Sequence, residues 1–429
     1  MGNDPKPVDS GLVQAKAVGH DADVIVIGAG PAGSATAWHL ARAGVSTLLL
    51  DKSDFPRDKV CGDCVSPRAQ HYLARMGLLD VVAADAHEAP RIRFQAPGGA
   101  FAMSDITGAG KMPDRTLVIP RRRFDHLLQQ HAIAAGARFR VSHVRQLLPN
   151  GGAATATAAS GILVDGSALH ARLVVIATGA ATSLLKHTAL APAGPVHSTA
   201  ARCYIDGIEG LGPDLEFLFD HLPLPGYAWL FPTGADSANL GYWYSGPQRL
   251  SAAALLPRLL REHPTLRGRL NRANPPGPVA GFPIRTDFLR APKIAAGLLC
   301  VGEAAGLVNP FTGEGIDYAL ESAELAAETI VAALADTSGG ITEAALRPYP
   351  RALDRHFRQL FLLMELSHRY GFNPWVFDRL FGRGAGGQPL LDRLIRVCFG
   401  AAPPRTMLDP LELGALLFSR PVNQREQIG

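Results

Sequence analysis

Residues 24–51 constrain this chain more than any other stretch. An apolar run is followed by three glycines at fixed spacing, a helix of small residues, a second apolar run and an acid. Residues 24–27 suit a short buried parallel strand. Gly28, Gly30 and Gly33 follow, with Pro31 and Ala32 between them, and Ala35, Ala37 and Ala41 then space out a helix. Gly28 permits a tight turn, and Gly30 lets the backbone approach a pyrophosphate. Gly33 lets the helix lie close on the strand, so that its first amides face the phosphates. Residues 47–50 read as a second strand ending at Asp51, whose carboxylate meets a ribose hydroxyl, with Lys52 at the same edge. A lone glycine motif says little, but the full ordered set reads as a dinucleotide-binding unit.

With 429 residues the chain has room for two lobes. Its formal net charge of +4 is spread out and makes no case for nucleic acid. Arg121 to Arg123 form the densest basic run, which suits a solvated or a ligand-facing edge. Five cysteines, at 61, 64, 203, 300 and 398, form no disulfide framework and suit a reducing cytosol. Cys61 and Cys64 are spaced like a redox dithiol, but no second pair exists to complete a zinc site, and no metal is expected. No segment reaches the roughly 18 uninterrupted apolar residues of a membrane span. Residues 1–20 lack a signal peptide's apolar core and read as a flexible tail. The expected location is cytoplasmic. Residues 360–366 are apolar almost all round, which suits a helix lying in the inner membrane face or one covering a substrate lobe.

Alternating apolar and polar residues mark 91–113 and 199–286 as strands of an antiparallel sheet with one covered face. Apolar runs at 171–177 and 297–301, a helix over 124–135 and another over about 315–335 return to the nucleotide lobe. The Ala/Gly-rich stretch 151–161 looks like a hairpin region, and the chain reads as helical from Tyr349.

Three motifs outside the fingerprint converge on one family. Pro56-Arg-Asp-Lys59-Val-Cys61-Gly62, with Ser66-Pro67 beyond it, resembles the Pro-x-x-Lys-x-Cys-Gly segment of geranylgeranyl reductases. Tyr227-Ala-Trp229-Leu-Phe231-Pro232, with Gly241 beyond it, resembles that family's substrate-cavity signature. The run from Gly302 through Asn309 to Gly313, Gly315 and Ile316 is similar to the second flavin segment of the wider superfamily of aromatic-hydroxylase-like flavoproteins.

The resemblance implies an α/β fold: a Rossmann-like FAD-binding lobe (21–90, 114–198, 287–340) and an α+β substrate lobe on an antiparallel sheet (91–113, 199–286). A C-terminal helical region (341–429) completes the expected organisation. It implies non-covalent FAD, with NAD(P)H or a ferredoxin as electron donor, since no separate nicotinamide lobe is visible. The implied reaction is reduction of isolated C=C bonds in an apolar prenyl or polyene substrate. Such an alkene is not electron-poor, so hydride addition needs an acid nearby. Cys61 is the candidate proton donor or positions one, and Tyr227 is the next. Lys59 and Arg57 are expected at the flavin mouth, as a phosphate-binding or a solvated pair. Arg121 is expected to face FAD, with Phe124 in the core and Asp125 as a helix-start acid. Glu303 departs from the Asp usual after that glycine, keeping the charge with one more methylene. Gly313, Gly315 and Ile316 would bring amides to the ring's carbonyl edge, and Gly179 would let the chain pass under the cofactor. Tyr227, Trp229 and Phe231 alternate as strand residues and form a substrate wall. The main rival reading is an FAD-dependent monooxygenase of the aromatic-hydroxylase type. A halogenase lacks support because its Trp-x-Trp-x-Ile-Pro motif is absent, and a flavoprotein carrier would not need an apolar cavity. Oligomeric state stays open.

Overall fold

The computed structural model describes residues 20–106, 112–149, 159–192, 194, 198–246, 250–336, 341–381 and 387–408. The expected N-terminal tail and the centre of the 151–161 hairpin lie outside them.

Two sheets dominate. The first is parallel through Leu298–Cys300, Ser167–Ile176, Ala22–Ile27, Thr47–Asp51 and Arg138–Val141. Leu298–Cys300, Ala22–Ile27, Thr47–Asp51 and the second half of Ser167–Ile176 are almost wholly buried and mostly apolar because helices cover both faces, whereas the edge strand Arg138–Val141 is largely exposed. The helix Pro31–Arg42 packs against the long helix Ile316–Asp336 and the helix Arg121–Ala134. The last of these starts three residues before the sequence pattern suggested, at the residue after Pro120. The strand Arg138–Val141 is followed by a separate strand, Val144–Pro149, that pairs with Ala159–Val164.

The second sheet runs Ala280–Ile284, Ser198–Ile205, Ala238–Ser245, Gly226–Pro232, Leu215–Leu218, Arg91–Gln95 and Phe101–Asp105. All its pairs are antiparallel except Leu215–Leu218 on Arg91–Gln95, where two distant pieces of chain meet. A third, small sheet of Cys64–Val65, Thr116–Val118 and His87–Ala89 lies on the crossing between them.

The C-terminal helices divide their service. In Pro348–Gly371, Phe357, Leu360, Phe361 and Met364 join the core of the parallel sheet beside Phe288 and Tyr318. That helix therefore covers the nucleotide lobe along residues 357–364. It meets the substrate sheet, which one sequence reading had it cover, only near its end, where His368 lies 6.1 Å from the Trp243 ring. Phe377, Leu390, Leu391 and Ile395 from the next two helices pack on the second sheet. No helix among the described residues is long and apolar enough to cross a membrane.

Candidate functional site

The strand Ala22–Ile27 ends in a turn that only glycine can make. Gly28 has φ +102°, and a Cβ there would lie 2.4 Å from the Ala177 carbonyl oxygen. A Cβ at Gly33 would lie 1.8 Å from the carbonyl oxygen of Gly28. These two glycines are demanded by the protein's own packing. Gly30 is not: the nearest atoms to a Cβ there are the tips of Arg57 at 3.8 Å and Arg121 at 4.0 Å. The room in front of Gly30 is therefore open to a ligand, at a helix start with no acid in its first turn.

Asp51 is buried at the end of the neighbouring strand and accepts the Ala29 amide at 2.9 Å and the Ser53 amide at 3.0 Å. Arg57 bridges Asp51 at 3.1 Å and Asp125 at 3.0 Å, and Arg121 clasps Asp125 at 2.6 and 2.8 Å. Asp125 is thus no solvent-facing cap. It is fully buried and aims two guanidinium forks at the opening before Gly30, a geometry suited to phosphate. Lys59 is not solvated either. Its ammonium lies 3.3 Å from the Phe282 ring centroid, and burial lowers its pKa to about 8 against the pull of Glu303.

Glu303 projects from a short turn, Gly302–Ala305. One carboxylate oxygen accepts the Arg285 amide at 3.1 Å, and Arg285 itself is locked by Asp287 and the Ala304 carbonyl. The other oxygen would lie 3.0 Å from a Cβ at Gly179, so glycine there leaves the carboxylate room beside the opening. Gly313, with φ +72°, approaches the Tyr227 hydroxyl: a Cβ would be 3.1 Å away.

Tyr227, Trp229 and Phe231 lie on one buried strand with successive ring centroids 6.2 Å apart. Trp243 joins them at 5.3 Å from Tyr227 and Phe217 at 5.1 Å from Phe231. Gly62 faces this group so closely that a Cβ would stand 3.0 Å from the Phe231 ring. Cys61 and Cys64 are both free thiols. Burial pushes the Cys61 thiol up, against the opposing pull of the Arg121 guanidinium, so it carries its proton at neutral pH.

The Cys61 segment is pinned by a network that no local pattern announces. Asn239 donates to the Cys61 carbonyl and to Asp63, both at 2.7 Å, and accepts from the Trp229 indole at 2.9 Å. Tyr204 donates to Asp63 at 2.6 Å and the Arg121 amide donates at 3.2 Å. Asp63 sits at φ +65° and is fully buried, and burial raises its carboxyl pKa to about 6 against those donors. Asp63 directly follows the quoted Pro-x-x-Lys-x-Cys-Gly motif and was given no role, and Asn239 and Tyr204 were missed altogether. The alternation of their strands was the only signal. Two further buried acids were unforeseen: burial, with Asp317 adding repulsion, pushes Glu314 well up, and burial raises Asp317 to about 6.

One cavity of about 610 Å3 connects these parts. Gly28, Gly30, Pro31, Ala32, Asp51, Lys52, Lys59, Cys61, Gly62 and Arg121 line it, as do Gly179, Glu303, Gly313, Gly315 and Ile316. Tyr227, Trp229 and Phe231 complete its wall. Three residues singled out in the sequence do not line it. Gly33 serves helix–strand packing, and Gly302 brings its turn onto the helix, where a Cβ would lie 2.7 Å from Ala32. Gly241 pairs across the sheet with Trp229 and makes room for its indole, 2.1 Å from where a Cβ would be.

An FAD binding domain model matches residues 21–202. Menaquinone reductase of Mycolicibacterium smegmatis is 32% identical over 80% of this chain and 85% of its own. Digeranylgeranylglycerophospholipid reductase 1 of Methanopyrus kandleri is 31% identical over 79% of this chain and 88% of its own. The chain belongs to the geranylgeranyl reductase family of FAD-dependent oxidoreductases. A geranylgeranyl bacteriochlorophyll reductase-like protein of Thermoplasma acidophilum shares the fold at TM-score 0.71 and 21% identity, covering 94% of this chain and 97% of its own. A flavin-dependent brominase shares it equally well, at TM-score 0.70 and 19% identity over 92% and 98% of the two chains, so the fold does not choose the reaction. The residues present fit FAD: the opening at Gly30, the arginine pair and the acceptors Asp51 and Glu303 lie along one cavity.

Three outcomes follow from this geometry. Gly30→Val leaves the apoprotein's thermal midpoint in place but abolishes FAD retention, whereas Gly33→Ala destabilises the protein by about 1–3 kcal/mol through overpacking. Equal unfolding midpoints for both variants would refute that division. Glu303→Ala weakens FAD binding by about 1–3 kcal/mol in a fluorescence titration, and Glu303→Asp retains it. The third concerns pH. Because the folded pKa of Asp63 lies above the ordinary 3.8, the native state holds this proton more tightly than the unfolded chain. Its stabilising effect is complete below about pH 4 and is lost, by about 3 kcal/mol, as pH rises through about 6. Asp63→Asn should therefore gain on the wild type in thermal midpoint between pH 4 and 7, and a constant difference would refute the assignment.

Proposed function

We propose that this protein saturates isolated C=C bonds of an isoprenoid or related polyene, with Cys61 as the proton donor. The observation that carries the reading is the protonated thiol of Cys61 opening on the same cavity as the aromatic wall and the dinucleotide fingerprint. The names of the two curated relatives support an apolar substrate.

Bound FAD, once reduced, supplies a hydride to one alkene carbon. The residues of this chain supply the rest. Tyr227, Trp229, Phe231 and Trp243 hold a flexible chain by apolar area, worth roughly 25 cal/mol per Å2 removed from water. Their enclosure excludes water from the reacting end. Cys61 Sγ–H gives its proton to the second alkene carbon, and its thiolate is then held by the adjacent Arg121 guanidinium until it is reprotonated. Asn239 and Asp63 fix the backbone on either side of Gly62 and so fix where the thiol points. Tyr227 is reassigned from acid to wall: its hydroxyl is committed to the Thr312 carbonyl, and burial pushes its pKa far up.

The test uses dithionite as reductant, so it does not depend on whether NAD(P)H or a ferredoxin is the natural donor. Under strict anaerobiosis, a prenyl substrate should reoxidise the reduced wild type and gain two hydrogens per double bond by mass spectrometry. Cys61→Ser should keep FAD and its reduction but reoxidise about 10²-fold more slowly. Cys64→Ser should change little. Equal losses in both variants would indicate a Cys61–Cys64 redox couple, and a wild-type rate in Cys61→Ser would place the acid elsewhere. A requirement for oxygen would favour the monooxygenase reading and sink this one.

A further inference from the structure

Among the described residues eight large apolar side chains are strongly exposed, and four of them fall within one short stretch at the end of the helix Pro348–Gly371. Leu362, Leu366 and Tyr370 are 43%, 56% and 65% exposed, and Trp375 at the start of the helix Pro374–Phe381 is 47% exposed. The first three stand four residues apart, so they form one stripe along the helix, opposite Phe357, Phe361 and Met364 in the core. A patch of this kind on a globular protein marks something that covers it.

The charges around the stripe say what. Arg351, Arg355, Arg358 and Arg369 are exposed along the same helix, and the Arg369 guanidinium lies 5.6 Å from the Tyr370 ring centroid. Arg379 lies over the Trp375 ring at 4.1 Å. The acids nearby are fewer and partly committed: Glu365 pairs with Arg290 at 3.1 Å, and Asp378 accepts the Gly98 amide at 2.9 Å, leaving Asp354 exposed. Leucines flanked by a tryptophan, a tyrosine and arginines combine the three elements that seat a helix in the headgroup layer: apolar area, amphipathic rings and cations.

The inner side of the same corner reaches the cavity wall. Phe372 lies 6.0 Å from Trp243 and 5.2 Å from Phe311, and Phe377 lies 4.4 Å from Phe219, which in turn lies 5.9 Å from Tyr227. One ring, Phe372, separates this corner from Trp243 in the cavity wall, and two, Phe377 and Phe219, separate it from Tyr227. We propose that this helix corner docks on an anionic lipid bilayer, with the aromatic corner between the bilayer and the cavity as the passage for an apolar substrate.

The full-length yellow protein should float with vesicles of equal parts phosphatidylcholine and phosphatidylglycerol, and less with pure phosphatidylcholine or at high salt. The double variant Leu366→Ser, Tyr370→Ser should lose at least tenfold in vesicle partition while its FAD content and thermal midpoint stay as in the wild type. Arg358→Gln with Arg369→Gln should reduce the preference for phosphatidylglycerol. Vesicle binding requires no turnover, so this result is read independently of the proposed reaction. Equal partition of wild type and the double variant overturns the proposal. So does a wild type that ignores vesicles and sediments as a dimer that the double variant disperses, because the stripe would then be covered by a second copy of the chain.

Discussion

The site depends on one buried knot between the two sheets. Asp63 belongs to the loop that leaves the fingerprint unit, and its carboxylate is held by Tyr204 and Asn239 from two neighbouring strands of the other sheet. The same Asn239 ties the Trp229 indole to the Cys61 carbonyl, so thiol, aromatic wall and loop form one mechanical unit. Four donors and acceptors satisfied at one point make such a network rigid, and the low dielectric makes any loss within it costly. The left-handed backbone of Asp63 is tolerated there because the bonds over-determine it.

Electrostatics sort the cavity into a cationic mouth and an acidic floor. At the mouth, Asp125 spends its charge on orienting Arg57 and Arg121, so the forks are fixed before any phosphate arrives. At the floor, Glu314 and Asp317 stand at the start of the helix Ile316–Asp336, whose dipole favours negative charge. Burial, with repulsion from Asp317, raises Glu314 against that dipole, while Arg68 opposes the rise at Asp317.

Much of the fold was legible because its signals are local. The fingerprint, the apolar parallel strands and the alternation over 199–245 each concern residues close in sequence, where period and spacing act directly. The remainder of the expected sheet range, to 286, instead carries the helices Ala252–Glu262 and Pro264–Arg269 before its last strand. The opening at Gly30 and the tight turn at Gly28 could be reasoned from the same stretch. What stayed hidden depends on contacts across long separations. Asn239 meets Asp63 across 176 residues, and Arg57 meets Asp125 across 68. A polar residue on an alternating strand looks the same whether it faces water or a buried partner, which is why Asn239 and Tyr204 escaped notice and Asp125 was read as a cap. The motif glycines Gly241 and Gly302 were drawn toward a ligand for the opposite reason. Close approach is what a glycine signals, and sequence does not say whether the approaching group is a ligand, an indole or a methyl.

The helix Pro348–Gly371 shows the same ambiguity resolved by packing. Residues 360–366 read as apolar all round because two demands overlap on one segment. Leu360, Phe361 and Met364 complete the core beside Phe288, while Leu362 and Leu366 face outward. A helix with only the first demand would carry polar residues at 362 and 366, since among the described residues nothing buries those positions. Its outward apolar residues are therefore unexplained by folding alone, and they occur where the chain turns back onto the aromatic wall through Phe372 and Phe377. Single exposed apolar side chains are common on protein surfaces, but a contiguous group of them marks a surface that meets something else. That reasoning places the outer stripe and the inner aromatic corner on the two sides of one helix end, the geometry on which the proposed bilayer docking rests.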